Sequence, residues 1–174
     1  ALPMSVDEIQ SYGLTFQKDF MTKPFINENI LNRIFGEKAD RVKETFVQHC
    51  HDDIYEMRSE FDTQRKVEAY FAERKDEESR NICEGLYTLI SYVLFVPDRI
   101  HPSMYHPRIA VQNDFIFEVL SPEEKEVFNR LYNHYYYQRH NQFWYQVAMK
   151  KLPILTQSTT LQVCGEDLGM VPDC

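Results

Sequence analysis

The chain has 174 residues, 19 Lys and Arg against 27 Asp and Glu, and a formal net charge of −8. That balance repels a phosphate backbone and argues against nucleic acid as a partner, and no apolar run reaches the roughly 18 residues that span a membrane. Five glycines and eight prolines are few breakers for this length, so the expectation is a small number of long elements, helical rather than many-stranded. No basic start followed by an apolar run opens the chain. Its opening, Ala1-Leu2-Pro3 without an initiator Met, suggests a piece of something longer. The four cysteines, Cys50, Cys83, Cys164 and Cys174, are scattered without CxxC pairing, as expected of reduced thiols in a cytoplasmic protein.

Taken in chain order, Ser5 with Glu8 predicts a capping box for a short helix that stops near Gly13. Asn27 caps a helix whose face is Ile30, Leu31, Ile34 and Phe35, and Gly36 ends it. Val42, Phe46 and Val47 continue as a short stripe. Asp53 to Arg58 alternates polar and apolar residues and predicts a brief strand. A helix is expected from about Thr63, with Val67, Tyr70 and Phe71 inward. A longer one is expected from about Asp76 to Val96, with Leu86 to Leu94 in the longest helix of the chain and Pro97 as its stop.

The segment from Pro97 to Pro107 holds three of the eight prolines and reads as irregular. Ile109, Val111, Phe115 and Phe117 share strand parity, a weak hairpin or extended arm. Ser121-Pro122-Glu123-Glu124 combines a cap, a proline at the first helical position and a returning glutamate. The helix it opens shows Val127, Phe128, Leu131, Tyr132 and Tyr135 on one face. A further helix carries Trp144, Val147, Ala148 and Leu155, kinked or restarted at Pro153. Only then does a core-type strand follow, Leu161-Gln162-Val163-Cys164. A lone strand is not stable without neighbours, so its sheet would lie outside this chain.

Few side chains suggest chemistry. There is no phosphate-binding glycine loop, no GxSxG elbow and no HExxH pair. His49 and His51 with Asp52 and Asp53 lack an evident third ligand and read as an exposed polar turn rather than a metal site; no cofactor is expected. Tyr132, Tyr135, Tyr136 and Tyr137 with Trp144 suggest sugar stacking, but at helical spacing core is the stronger reading. The run from Leu161 to Gly169 is more informative. Gly165 and Gly169 flank the acidic pair Glu166-Asp167 at the end of an apolar strand, where parallel-barrel enzymes keep catalytic groups. In strand parity Cys164 and Glu166 face one way and Leu161 and Val163 the other. Spacing alone does not separate this from a plain acidic turn.

The run Val163-Cys164-Gly165-Glu166-Asp167-Leu168-Gly169-Met170-Val171-Pro172 closely resembles the GEDLG-type motif of the 4-α-glucanotransferases, the amylomaltase family of glycoside hydrolases. Arg139-His140-Asn141-Gln142-Phe143-Trp144, Lys151-Leu152-Pro153 and the opening Ala1 to Ser5 resemble the subgroup related to the plant cytosolic disproportionating enzyme. The resemblance implies a mainly α fold. Residues 1–140 would be a helical insertion of a (β/α)8-barrel enzyme, and residues 141–174 a barrel helix and strand ending in the motif, the whole one compact unit. It implies Glu166 as general acid/base, with the nucleophilic Asp before Ala1 and a stabilising Asp after Cys174, so that the chain alone would be inactive. The implied partners are α-1,4-glucans such as maltose and a glycogen-like polymer, in the cytoplasm. The competing expectation is a non-catalytic helical module for carbohydrate or protein contacts.

Overall fold

The structure is a computed structural model that describes residues 2–162 and residue 164. Of these, 57% are helical, against roughly a third in an average domain, so the mainly α expectation holds.

The first helix, α1 (Val6–Ser11), is capped by Ser5, whose Oγ accepts from the Glu8 amide at 3.1 Å. The expected box closes only on that side, because the Glu8 carboxylate is held by Arg139. Gly13 then turns the chain with φ at +99°, a region open to glycine at no steric cost. A short helix α2 (Lys18–Thr22) leads to a two-residue strand β1 (Ile26–Asn27). Asn27 Oδ1 caps α3 (Glu28–Phe35) by accepting from the Ile30 amide at 2.9 Å. After α4 (Ala39–Phe46) come β2 (Val47–His51) and β3 (Ile54–Met57), the latter where alternation predicted a strand. The three strands form an antiparallel sheet in the order β1-β3-β2, with a bulge between His49 and His51.

Next, α5 (Gln64–Phe71) is capped by Thr63 and α6 (Glu77–Ile90) by Asp76. Here two expectations fail. The helix stops at Ile90 instead of Val96, and at 14 residues it is shorter than two later ones. Distant partners explain the early stop: the Leu94 amide donates to the Met21 carbonyl, and Phe95–Pro97 pair with Tyr105–Pro107, while Tyr92 to Val96 are aromatic, β-branched or Leu, suited to extended chain. Nor is the proline-rich segment irregular throughout. Phe95–Pro97 (β4) and Tyr105–Pro107 (β5) pair antiparallel, Val96 opposite His106. Met4 extends this ribbon by exchanging backbone bonds with Tyr105, both at 2.8 Å.

Residues 109–117 form no hairpin. A 3-10 turn at Val111–Asn113 leads into α7 (Phe115–Glu118), started by the Asp114 carbonyl, which accepts from the Phe117 and Glu118 amides. The capping box of α8 (Pro122–Tyr137) closes in both directions, Ser121 Oγ accepting from the Glu124 amide and Glu124 Oε2 from the Ser121 amide. Its inward face buries Phe128, Leu131 and Tyr135. The longest helix among the described residues is α9 (Asn141–Gln157), with 17 residues and Pro153 inside it.

Two apolar clusters make the core. One gathers α3 to α6 and the three-stranded sheet around Leu31, Val42, Val67 and Leu86. The other gathers α1, α2, the β4–β5 ribbon, α7 and α8 around Met4, Ile9, Phe95, Phe128 and Tyr135. Phe25 packs against both. Helix α9 contributes to neither and has no buried residue. No helix of the described residues is long and apolar enough to cross a membrane.

Candidate functional site

Glu166 and Asp167, with the glycines that flank them, lie outside the described residues. Of the strand expected to carry them, Leu161, Gln162 and Cys164 are described, and none is in a strand. Leu161 is 78% exposed. A strand needs a hydrogen-bonded neighbour, and none is seated beside this segment among the described residues. What the structure does define is how the chain is delivered to that motif.

Delivery begins at the junction of α8 and α9. Arg139 turns back onto the start of the chain, its Nε on Glu8 Oε1 at 2.6 Å and its Nη2 on Glu8 Oε2 at 2.8 Å. This bidentate fork is the strong geometry for a guanidinium and a carboxylate. Arg139 also donates to the carbonyls of Leu2 and Pro3, at 2.6 and 3.1 Å. Beside it His140, 6% exposed, has Nδ1 3.0 Å from the Tyr135 carbonyl and Nε2 2.9 Å from the Leu2 amide nitrogen. A carbonyl only accepts, so Nδ1 carries the proton and Nε2 accepts from Leu2. Burial lowers the His140 pKa from its ordinary value, consistent with this neutral imidazole. Residues 2–8 and 139–140 therefore form a clasp between positions some 130 residues apart.

A second polar network lies behind the clasp. His106 has Nδ1 2.6 Å from the Tyr135 hydroxyl and Nε2 2.9 Å from Asp98 Oδ2. The hydrogen bond from His106 is the chief cause that holds Asp98 well below the usual carboxylate range, helped by backbone amides of the β4–β5 turn. Burial pushes the Tyr135 phenol up to about 12. This Tyr–His–Asp chain ties α8 to the ribbon.

The tyrosine cluster divides. Tyr135 is 1% exposed, Tyr136 donates to the Pro107 carbonyl at 2.5 Å, and the Tyr132 hydroxyl accepts from the Ala110 amide at 3.3 Å. The core reading holds for these three. Tyr137 and Trp144 are each 51% exposed, against it. Trp144 belongs to an apolar surface on α9 that also shows Phe143, Tyr145, Met149, Leu152 and Ile154, all between 44% and 68% exposed. His49 and His51 sit in the exposed half of β2, His49 with Nε2 2.7 Å from the Asp52 carbonyl. Among the described residues no group of three or more His, Cys, Asp or Glu is arranged to hold a metal ion.

The clasp escaped sequence reasoning because nothing local marks a pair separated by 131 residues. Its two halves nevertheless fall in stretches, Ala1 to Ser5 and Arg139 to Trp144, already singled out as motif-like.

Compared with known proteins, the chain is similar over its whole length to 4-alpha-glucanotransferase DPE2 of Oryza sativa subsp. japonica, 28% identical over 179 residues. The match covers 100% of this chain and 19% of that protein, so the chain spans about a fifth of the relative's length. This similarity supports a piece of such an enzyme. No protein-family model matches the chain, and no solved structure does.

Proposed function

We propose that the chain is a segment of a 4-alpha-glucanotransferase, made of a helical module inserted into a barrel and the first part of the barrel that follows it. The similarity to the rice enzyme along the whole chain supports the activity, and the clasp is the observation that carries the architecture. An inserted module must leave its host and return to it at nearly one place. Leu2 and His140, joined by a hydrogen bond of 2.9 Å, meet that demand for residues 1–140. Helix α9, which opens residues 141–174, shows large apolar side chains from Phe143 to Leu155 to solvent and buries none. An apolar surface of that size marks a contact site, and the rest of the parent enzyme supplies the partner.

In this reading Glu166 is the general acid/base of a retaining double displacement. It protonates the leaving glycosidic oxygen while an aspartate of the parent, about 5–5.5 Å away, attacks the anomeric carbon. A sugar hydroxyl then opens the glycosyl-enzyme, with Glu166 taking its proton. Transfer instead of hydrolysis requires that acceptor to outcompete water. Maltose is the proposed donor and a glycogen-like glucan the proposed acceptor, in the cytoplasm and without a cofactor. Both carboxylates are needed, so the 174-residue chain by itself is expected to release no glucose.

The test is a transfer assay on the parent protein with maltose and glycogen. Glu166→Gln keeps the shape of the side chain but removes the transferable proton, and is expected to lower glucose release about 10²–10⁴-fold. Asp167→Asn in the parent is expected to do less. A parent enzyme that keeps its rate in Glu166→Gln and loses it in Asp167→Asn overturns the assignment.

A further inference from the structure

Two adjoining clefts run beside the three-stranded sheet. The first, of about 310 Å³, is walled by Phe20, Pro24, Phe25, Ile54 and Tyr55. Phe20 and Phe25 meet edge to face with centroids 6.0 Å apart. The second, of about 460 Å³, has Gln48, Ser59, Asp62 and Thr63 on its walls beside Met57. Lys23, Pro24 and Glu56 line both, so the two are one groove, aromatic at one end and rich in hydrogen-bonding groups at the other.

Its single ammonium, Lys23, is already engaged, and its carboxylates outnumber it. Lys23 pairs with Glu56 at 3.3 Å and Asp19 at 3.6 Å, and Asp62 pairs with Lys66 at 2.6 Å. Such a groove, with more carboxylates than ammonium groups, repels an anionic ligand and leaves no free ammonium to hold one. It suits a neutral molecule with apolar faces and a rim of hydroxyls, the faces on aromatic rings and the rim on amide, hydroxyl and carboxylate groups. A sugar chain has that build.

We propose that this groove binds an α-1,4-glucan segment, so that the helical module holds polymer as well as being inserted in the enzyme. The choice of α-1,4-glucan rests on the transferase reading above; the preference for a neutral polyhydroxylated ligand rests on the groove.

The experiment titrates the ¹⁵N-labelled 174-residue chain with maltoheptaose and follows amide shifts. Shifts are expected to cluster at Phe20, Lys23, Tyr55, Glu56, Ser59 and Asp62, with an affinity unchanged between about 0.02 and 0.5 M salt, since no ion pair forms with the ligand. Phe20→Ala is expected to weaken binding about tenfold, the scale of one aromatic contact. Because Phe20 also packs on the core, Gln48→Trp provides a second variant: its position is exposed, and the larger ring fills the second cleft and blocks the ligand. Shifts confined to other surfaces, or a Gln48→Trp chain that binds as tightly as the original, overturn the proposal. So do groove shifts that follow protein concentration without sugar, which assign the groove to a second copy. A parent that transfers glucose units while the groove stays silent refutes the groove alone. Groove binding in a parent without transfer activity refutes the transferase reading alone.

Discussion

Gly85 shows how closely the first core is packed. It lies inside α6, where glycine costs about 1 kcal/mol relative to alanine. A Cβ there would stand 2.4 Å from Phe35 Cε1 and 3.0 Å from Ile34 Cγ2, and Phe35 is itself buried. The overlap is expected to outweigh the gain in helix propensity, since overpacking a core costs about 1–3 kcal/mol. Gly85→Ala should therefore lower the thermal midpoint by a few degrees, at about 2–4 °C per kcal/mol for a chain of this size. A midpoint that rises contradicts the packing argument. His140 yields a prediction in pH. Its folded pKa is depressed by burial from the ordinary value near 6.5, so the folded state binds fewer protons than the unfolded one. Stability is then fully present above about pH 6.5 and falls as pH drops through that value towards the folded pKa. Protonation also removes the Nε2 lone pair that holds the Leu2 amide. Urea midpoints measured from neutral to mildly acid pH should fall, and the fall should be smaller in His140→Gln.

At the scale of elements, α9 separates folding of the chain from folding of the parent. Seven of its large apolar residues between Phe143 and Leu155 are 44–68% exposed, more apolar surface on one helix than a free monomer ordinarily shows. Trp144→Glu is expected to leave the unfolding midpoint of the 174-residue chain unchanged and to improve its solubility. In the parent the same change buries an unpaired charge, which is strongly destabilising. Equal, small effects in both proteins would show that nothing covers α9. The helices legible in the sequence were those with complete local instructions. Ser5, Asn27, Thr63, Asp76 and the Ser121–Glu124 box each cap the helix they open. The misread segments depend on partners far along the chain. Val96 is extended because His106 and its neighbours pair with it, and Tyr105 holds Met4 across about 100 residues. Strand parity at 109–117 misled because the apolar positions there also suit a short helix turning into the second core. The motif around Glu166 was legible as a motif; the clasp was not, since only the fold brings Glu8 to Arg139.

For the whole molecule, both cores are complete before α9 begins. The buried residues end at Tyr135 and His140, and α9 adds none. A chain cut after His140 keeps the clasp and every buried side chain, so it is expected to unfold cooperatively with a midpoint close to that of the 174-residue chain. A cut after Gln138, only two residues shorter, removes Arg139 and His140. That leaves Glu8 without its guanidinium and the amide of Leu2 without its acceptor. The fork is only partly exposed, 17% at Arg139 and 31% at Glu8, and hydrogen bonds to charged groups contribute about 1.5–3 kcal/mol. The shorter piece should be less stable by about that amount, with the loss concentrated in the segment that carries Met4 and Ile9 into the second core. Hydrogen exchange is the discriminating measurement. The Met4 and Tyr105 amides, which bond each other's carbonyls, should lose protection in the 138-residue piece and keep it in the 140-residue piece. If both pieces protect these amides equally, the clasp does not hold the ends of the module. If the 140-residue piece fails to fold, α9 is part of the module rather than of the barrel that follows it.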